Sequence, residues 1–269
     1  MTPLVRSIAL PSGVRLSYVE QGNPSGIPVL FLHGVTDSWH SFEPVLPHLP
    51  SSLHAFALTQ RGHGDADRPT AGYRTRDFAA DVAAFVNAVG LGPTAIVGHS
   101  MGATNAQRFA IDHPQRLLGL VLVGAFASYH GNPTVMEFWE SAVSQLSDPI
   151  DPAFVRGFQE STLARPVSPA FLETIVQESL KLPARVWRAV FEGFLEDDAV
   201  DELEKIRSPT LIVWGSRDAL APRRDQDVFL TAIAGSRLLA YESAGHAVHW
   251  EEPERFATDL LTFVRGLIV

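Results

Sequence analysis

The chain of 269 residues contains no cysteine. Disulfides, thiolate metal sites and a cysteine nucleophile are therefore excluded. No apolar run approaches the roughly 18 residues that a membrane-spanning helix needs, and the sequence that follows Met1 shows no charged segment with a long apolar stretch behind it, as a secretory signal would. These absences predict a cytoplasmic protein that does not act in a membrane.

Positive charge is also scarce, with 21 Lys and Arg against 30 Asp and Glu and a net charge of −9. Without clusters of cations, the chain is not expected to bind nucleic acid. The 10 histidines do not follow the spacings that hold a metal ion, so no metal site is predicted. No other cofactor is predicted either.

What the sequence does contain is an alternation of strand-like and helix-like segments. Short apolar runs at 29–32 and 53–58 are typical of strands buried on both faces. Residues 77–89 place their apolar side chains on one face of a helix. The alternation predicts an α/β fold, with a parallel sheet covered by helices on both sides.

This alternation breaks at about residue 128 and resumes with the strand-like run at residues 209–214. The intervening segment consists of helical pieces separated by prolines and rich in Phe and Trp. We therefore predict a core made of residues 1–127 and 202–269, with residues 128–201 as a helical cap over the carboxyl edge of the sheet.

The pentapeptide Gly-His-Ser-Met-Gly at residues 98–102 lies between a strand-like run and a helix-like run. In that position a Gly-x-Ser-x-Gly sequence forms a tight turn that presents its serine as a nucleophile. Gly98 and Gly102 provide the space that the turn requires, because side chains there would collide with the adjoining elements. Ser100 is therefore the candidate nucleophile.

Further candidate groups follow other predicted strands, where open α/β sheets bind their ligands. Asp218 follows the run at 210–214, and His246 lies between the last strand and the last helix. The order Ser, Asp, His is that of one class of serine hydrolases. The rival acids Asp197, Asp198 and Asp201 stand at the end of the cap instead of after a buried strand.

From about residue 12 to the C-terminus the sequence resembles the α/β-hydrolase superfamily. The resemblance includes Arg-Gly-His-Gly at 61–64, Pro-Thr-Leu-Ile-Val-Trp-Gly-Ser-Arg-Asp at 209–218, and the Gly-His…Glu-x-Pro pattern at 245–253. It implies an eight-stranded, mostly parallel sheet flanked by helices, with an α-helical cap inserted after strand 6.

The resemblance also implies a role for each candidate group. Ser100 would attack an acyl carbonyl, His246 would take the serine proton, and Asp218 would hold the histidine in the required tautomer. The backbone N–H groups of Val35 and Met101 would form the oxyanion hole. We further expect the substrate pocket to involve His33, Tyr129, His130, Trp139 and Phe191.

The predicted function is hydrolysis of a small-molecule carboxylic ester of small to medium size. Epoxide hydrolases and haloalkane dehalogenases of this superfamily use Asp at the nucleophile position, whereas this chain has Ser100. A serine nucleophile therefore favours acyl transfer over displacement at saturated carbon.

Several alternatives remain open on the same triad. Carbon–carbon bond hydrolases are similar, but this chain departs from their motifs at His99, Ala103 and Ala247. A lactonase or a perhydrolase would use the same acyl chemistry. From another class, a ligand-binding receptor with vestigial hydrolysis is an alternative, against which the complete Ser, Asp and His set argues.

Overall fold

The computed structural model describes residues 4–197 and 199–268. Within these residues, eight strands form a single sheet. They are β1 (Val5–Ala9), β2 (Arg15–Gly22), β3 (Ile27–Leu32), β4 (Leu53–Thr59), β5 (Thr94–His99), β6 (Leu117–Val123), β7 (Thr210–Gly215) and β8 (Arg237–Tyr241).

The sheet order is β1-β2-β4-β3-β5-β6-β7-β8. Only the pairs at one edge, β1 with β2 and β2 with β4, are antiparallel, and the other pairs in the described residues are parallel. The predicted fold class, an eight-stranded mostly parallel sheet flanked by helices, is thus confirmed. Because β3, β5, β6, β7 and β8 run in the same direction, the loops that follow them meet at one edge.

The central strands form because their apolar runs can be buried on both faces. Every residue of β4, β5 and β7 is buried. In contrast, β1 lies at the edge of the sheet, and most of its residues are exposed. Short apolar runs therefore identify the centre of the sheet better than its antiparallel edge.

Nine α-helices are found in the described parts of the chain. They are α1 (Thr75–Ala88), α2 (Met101–Asp112), α3 (Pro133–Ser141), α4 (Pro152–Ser161), α5 (Pro169–Leu180), α6 (Ala184–Glu196), α7 (Arg223–Ala232), α8 (Val248–Glu251) and α9 (Pro253–Arg265). One apolar core joins α1, α2 and α7 to the sheet, and a second joins α9 to it. No helix within residues 4–197 and 199–268 is long and apolar enough to cross a membrane.

Helices α3 to α6 lie between β6 and β7, in the segment for which a cap was predicted. Their side chains share a third apolar cluster with Met101 and Phe126, which follow β5 and β6. We propose that these helices are the predicted cap and that the remaining residues are the core. The cap then covers the sheet edge at which Ser100 lies.

Candidate active site

Ser100 occupies the turn between β5 and α2 in a strained backbone conformation. Its φ of 52° lies in the left-handed region, which residues with a side chain rarely adopt. A Cβ on Gly98 would lie 2.3 Å from the Gly102 carbonyl oxygen, and a Cβ on Gly102 would lie 2.1 Å from the Leu32 carbonyl oxygen. Larger residues would therefore displace the turn that presents the Ser100 side chain.

Asp218 and His246 form a buried pair, with side chains 0% and 3% exposed. Nδ1 of His246 donates a hydrogen bond to Asp218 Oδ2 at 2.9 Å. The other oxygen of Asp218 accepts the N–H groups of Leu220 at 2.8 Å and Ala221 at 2.9 Å. Because the carboxylate only accepts, Nδ1 carries the ring proton and Nε2 keeps a lone pair. This is the tautomer that a general base requires.

The two rival acids within the described residues, Asp197 and Asp201, do not contact this histidine. Asp197 pairs with Arg76 at 2.6 Å, and Asp201 is exposed in a short 3-10 helix. Asp198 lies outside the described residues. Of the acids considered from the sequence, Asp218 is thus the one that the structure brings to His246.

Gly124, just after β6, supports the same histidine and was not singled out from the sequence. Its φ is 52°, and a Cβ there would lie 2.8 Å from the His246 carbonyl oxygen and 3.0 Å from His246 Nδ1. A glycine after a strand is too common to signal this role by itself. The requirement for glycine follows from a tertiary contact, because His246 in the loop after β8 packs directly against Gly124.

His33 holds the loop that follows β3. Its Nε2 accepts the N–H of Gln60 at 3.0 Å, so Nδ1 carries the proton and donates to the Gly34 carbonyl at 2.7 Å. Burial lowers the pKa of His33 well below its ordinary value, and the ring is neutral. Val35, which follows Gly34 in this loop, lines a cavity beside Ser100.

Met101 opens α2 on the other side of Ser100. The first N–H groups of a helix have no acceptor inside the helix, and the helix dipole places partial positive charge there. The start of α2 is therefore suited to stabilise negative charge that develops close to Ser100.

Two further histidines pack beneath the nucleophile turn. The ring centroid of His99 lies 4.9 Å from that of His246 and 4.5 Å from that of His249. Burial lowers the pKa of His99 well below its ordinary value and that of His249 to about 3. Both rings are neutral, as the packing around them requires.

Asp37 supplies a buried carboxyl group beside the same cavity. Its Oδ1 accepts from the Gln159 amide at 3.0 Å, and its Oδ2 accepts from the Ser41 hydroxyl at 3.3 Å. Burial raises the pKa of Asp37 to about 7, although these hydrogen bonds and His246 act in the opposite direction. Sequence reasoning missed Asp37, because a single acid in a loop after a strand usually caps a turn.

The cavity over Ser100 has a volume of about 320 Å³, at the small end of the range for ligand sites. Its wall contains Ser100, His246, Val35 and Asp37. Most of the remaining wall is apolar and is contributed by Phe126, Tyr129, Val135, Phe138, Phe158, Phe191, Phe194, Leu220 and Trp250.

Tyr129 and Phe191 line the cavity, whereas the other three residues expected there, His33, His130 and Trp139, are not in its wall. His33 is fully buried under the loop after β3, where Gln60 and Gly34 occupy its ring nitrogens. His130 is exposed at the surface. Trp139 packs against the apolar cluster of the cap, and its neighbour Phe138 faces the cavity instead.

Comparison with known proteins agrees with the fold. The model of the α/β-hydrolase-fold family matches residues 27–253. The chain belongs to the α/β-hydrolase family.

Relatives of this α/β hydrolase have several activities. The chain is 27% identical to a non-heme chloroperoxidase of Streptomyces lividans, over 97% of this chain and 99% of the relative. It is 28% identical to a pimeloyl-[acyl-carrier protein] methyl ester esterase of Neisseria meningitidis, over 89% and 77% of the two chains. An esterase of Exiguobacterium antarcticum has a similar structure, with a TM-score of 0.86 and 25% identity over 96% of this chain and 98% of that one.

Membership of the family thus supports an enzyme, and the named relatives include esterases. Because their names differ, the particular reaction has to be argued from the residues around Ser100.

Proposed function

We propose that the protein is a serine esterase that hydrolyses carboxylic esters of small to medium size. The observation that carries this proposal is the joint placement of Ser100 and the Asp218–His246 pair at the carboxyl edge of the sheet. A strained serine and a histidine in the tautomer of a general base both line one cavity. This arrangement is suited to nucleophilic acyl transfer.

In the first half of the reaction, the Ser100 hydroxyl oxygen attacks the ester carbonyl carbon while Nε2 of His246 takes the hydroxyl proton. Asp218 stabilises the imidazolium that results. The tetrahedral intermediate collapses, its bond to the alkoxy oxygen breaks, and His246 gives its proton to the leaving alcohol. An acyl group then remains on Ser100.

In the second half, water attacks the acyl carbon and loses a proton to His246. The carboxylic acid leaves as Ser100 regains its proton. In both halves we assign stabilisation of the oxyanion to the N–H groups of Val35 and Met101. The positions of Val35 beside the cavity and of Met101 at the start of α2 support this assignment.

The cavity wall supports an uncharged substrate. Among the described residues of this wall, Asp37 is the only Asp, Glu, Lys or Arg side chain. An apolar acyl or alcohol group would bury its surface against the phenylalanines, whereas an anionic group would lose its hydration without gaining a cation in return.

The proposal is tested with p-nitrophenyl acetate, butyrate and octanoate on purified protein. We expect a rapid burst of nitrophenol, equal to the enzyme concentration, followed by slower steady turnover. Ser100→Ala should remove the burst, while Ser161→Ala, which changes another serine of the cavity wall, should retain it. Binding without any burst would instead favour a receptor-like module.

A second candidate, perhydrolysis, is favoured by the similarity to a chloroperoxidase along nearly the whole chain. Hydrogen peroxide would replace water in the second half and convert the acyl group to a peracid. Peracid formation from ester and peroxide, faster than ester hydrolysis alone, would support this reading, and its absence would leave the esterase.

A further inference from the structure

One side chain of the cap crosses to the loop that follows β3. This residue is Gln159, which lies in α4 and is 1% exposed. Its amide nitrogen lies 2.9 Å from Thr36 Oγ1, 3.0 Å from Asp37 Oδ1 and 2.9 Å from the Oγ of Ser179 in α5. A single amide group thus joins two cap helices to two consecutive residues of this loop.

The directions of these hydrogen bonds follow from the available protons. Ser179 donates its hydroxyl proton to the Ile175 carbonyl at 2.8 Å. The Thr36 hydroxyl, 3.1 Å from Ser179 Oγ, therefore donates to Ser179. Thr36 Oγ1 and Asp37 Oδ1 are then left to accept the two amide hydrogens of Gln159. Loss of that amide would leave both acceptors buried without these donors, which proteins tolerate poorly.

Thr36 is the residue that most needs this support. Its φ is +71°, a genuine outlier for a β-branched residue, and it is fully buried. Such a conformation persists only where the surroundings impose it. Thr36 directly follows Val35, so its φ sets how the chain leaves Val35 and thereby how the loop carries the Val35 N–H.

The same cap segment also holds the loop that carries the catalytic base. The Thr162 carbonyl accepts the N–H groups of His246 at 2.9 Å and Ala247 at 3.2 Å. Thr162 is tied to Gln159 in turn, because its hydroxyl donates to the Gln159 carbonyl at 2.7 Å. One turn of cap chain therefore connects the loop after β3 to the loop after β8.

We propose that Gln159 is a positioning residue, which holds the loop at Val35 in the conformation that forms the oxyanion hole. The cap then shapes the hole from outside the core in addition to covering the cavity. This role rests on the proposed function, since it requires an oxyanion that forms at Ser100. Gln159 acts through Thr36 and Asp37, and it need not touch the reacting atoms.

The kinetic test uses Gln159→Leu, which keeps the approximate size of the side chain and removes its donors. Misplacement of an oxyanion donor reduces turnover more than binding, so kcat should fall about 10- to 100-fold with KM within about threefold of the wild-type value. Gln177→Leu, at an exposed position of α5, is the matched control and should not change either constant. A rise in KM with unchanged kcat would mean that Gln159 only contacts substrate, and it would overturn the proposal.

A rescue experiment separates positioning from general damage. Glycine adopts positive φ without strain. The double variant Gln159→Leu/Thr36→Gly should therefore have a kcat at least about threefold higher than that of Gln159→Leu. If Gln159→Leu does not fold, Gln159→Met, with an unbranched flexible side chain, replaces it in both experiments. No recovery in the double variant would contradict the role assigned to Thr36.

Hydrogen exchange provides a readout that does not depend on activity. In Gln159→Leu, amide exchange in residues 34–37 should accelerate about tenfold or more, while exchange in residues 94–99 should stay unchanged. Faster exchange in a protein whose wild type hydrolyses no ester would refute the proposed function, and with it the oxyanion hole, while showing that Gln159 still holds the loop. Normal ester turnover together with unchanged exchange and kcat in Gln159→Leu would refute the positioning role alone.

Discussion

One oxygen of the Asp218 carboxylate accepts a hydrogen bond from Nδ1–H of His246, with 2.9 Å between nitrogen and oxygen, and its second oxygen accepts two backbone N–H groups. The backbone donors fix which oxygen faces the ring, and the ring proton fixes the tautomer. This pair therefore determines the protonation pattern in which the His246 ring faces Ser100.

Asp218→Asn should reduce kcat by about 10³- to 10⁴-fold. The amide oxygen of Asn would take the two backbone N–H groups, so its NH₂ would point at His246 Nδ1 and force the proton onto Nε2. The variant Asp227→Asn, on the exposed side of α7, is the control. Steady-state kinetics with a p-nitrophenyl ester measures the effect, and a loss below about tenfold would show that Asp218 does not orient the base.

Gly102→Ala should destabilise the protein and abolish activity, since its Cβ would lie 2.1 Å from the Leu32 carbonyl oxygen. Overpacking of this kind costs about 1–3 kcal/mol or more. Gly92→Ala is the matched control, because a Cβ there meets no atom within 4 Å. Denaturant unfolding of the two variants gives the comparison. Equal stability of both would contradict the close approach of α2 to β3.

Acid should destabilise the folded protein between about pH 6.5 and pH 4. Burial lowers the pKa of His63 to about 4, so above pH 4 the folded state keeps it neutral, whereas the unfolded chain takes up a proton below pH 6.5. The stability present above pH 6.5 is therefore lost as the pH falls, by about 3 kcal/mol for this residue at 1.36 kcal/mol per pKa unit. His33, His99 and His249 act in the same direction.

Asp37 has the opposite sign. Its pKa is raised to about 7, so the folded state binds the extra proton below that pH and gains stability relative to the unfolded chain. One such carboxyl offsets only part of the effect of four histidines.

Free energies of unfolding at pH 7 and pH 5 should differ less in His63→Phe than in the wild type, and the exposed control His48→Asn should keep the wild-type difference. An unchanged difference in His63→Phe would argue against a neutral, buried His63.

Phe191→Leu should shift the acyl preference towards larger groups. Phe191 lines the cavity and packs edge-on against Phe138 at 5.7 Å, so a smaller side chain lengthens the available space. We expect the ratio of kcat/KM for octanoate to that for acetate to rise about 10-fold, within the range that one or two methylenes contribute in an apolar pocket. Trp139→Leu, from outside the cavity wall, is the control and should leave the ratio unchanged. The same shift in both variants would refute this arrangement of the wall.

The sequence was informative wherever a local pattern determines the structure. The apolar runs that became β3, β4 and β7 are buried on both faces, so their composition alone identifies them. The turn at Ser100 was equally predictable from the sequence, because close contacts around the strand, turn and helix require its two flanking glycines. In contrast, β1 carries little pattern, since an exposed edge strand is defined mainly by its pairing with β2.

The cavity wall was less predictable, because it depends on how the cap helices rotate against the core. Trp139 and Phe138 are adjacent and both aromatic, yet only Phe138 faces the cavity. Gln159 gave no signal at all, since a polar residue on an amphipathic helix is normally expected to face solvent. Its hydrogen bonds join residues 122 and 123 positions apart in the chain, a separation that no local pattern spans.

A serine nucleophile at residue 100 is tested most directly by finding the residue that an active-site reagent modifies covalently. The protein is treated with a fluorophosphonate, digested, and mapped by mass spectrometry, with Ser100→Ala treated in parallel. We expect one adduct, on Ser100, in step with the loss of ester turnover, and none in Ser100→Ala. Full inactivation with the adduct on another residue, or ester turnover that persists in Ser100→Ala, would contradict it.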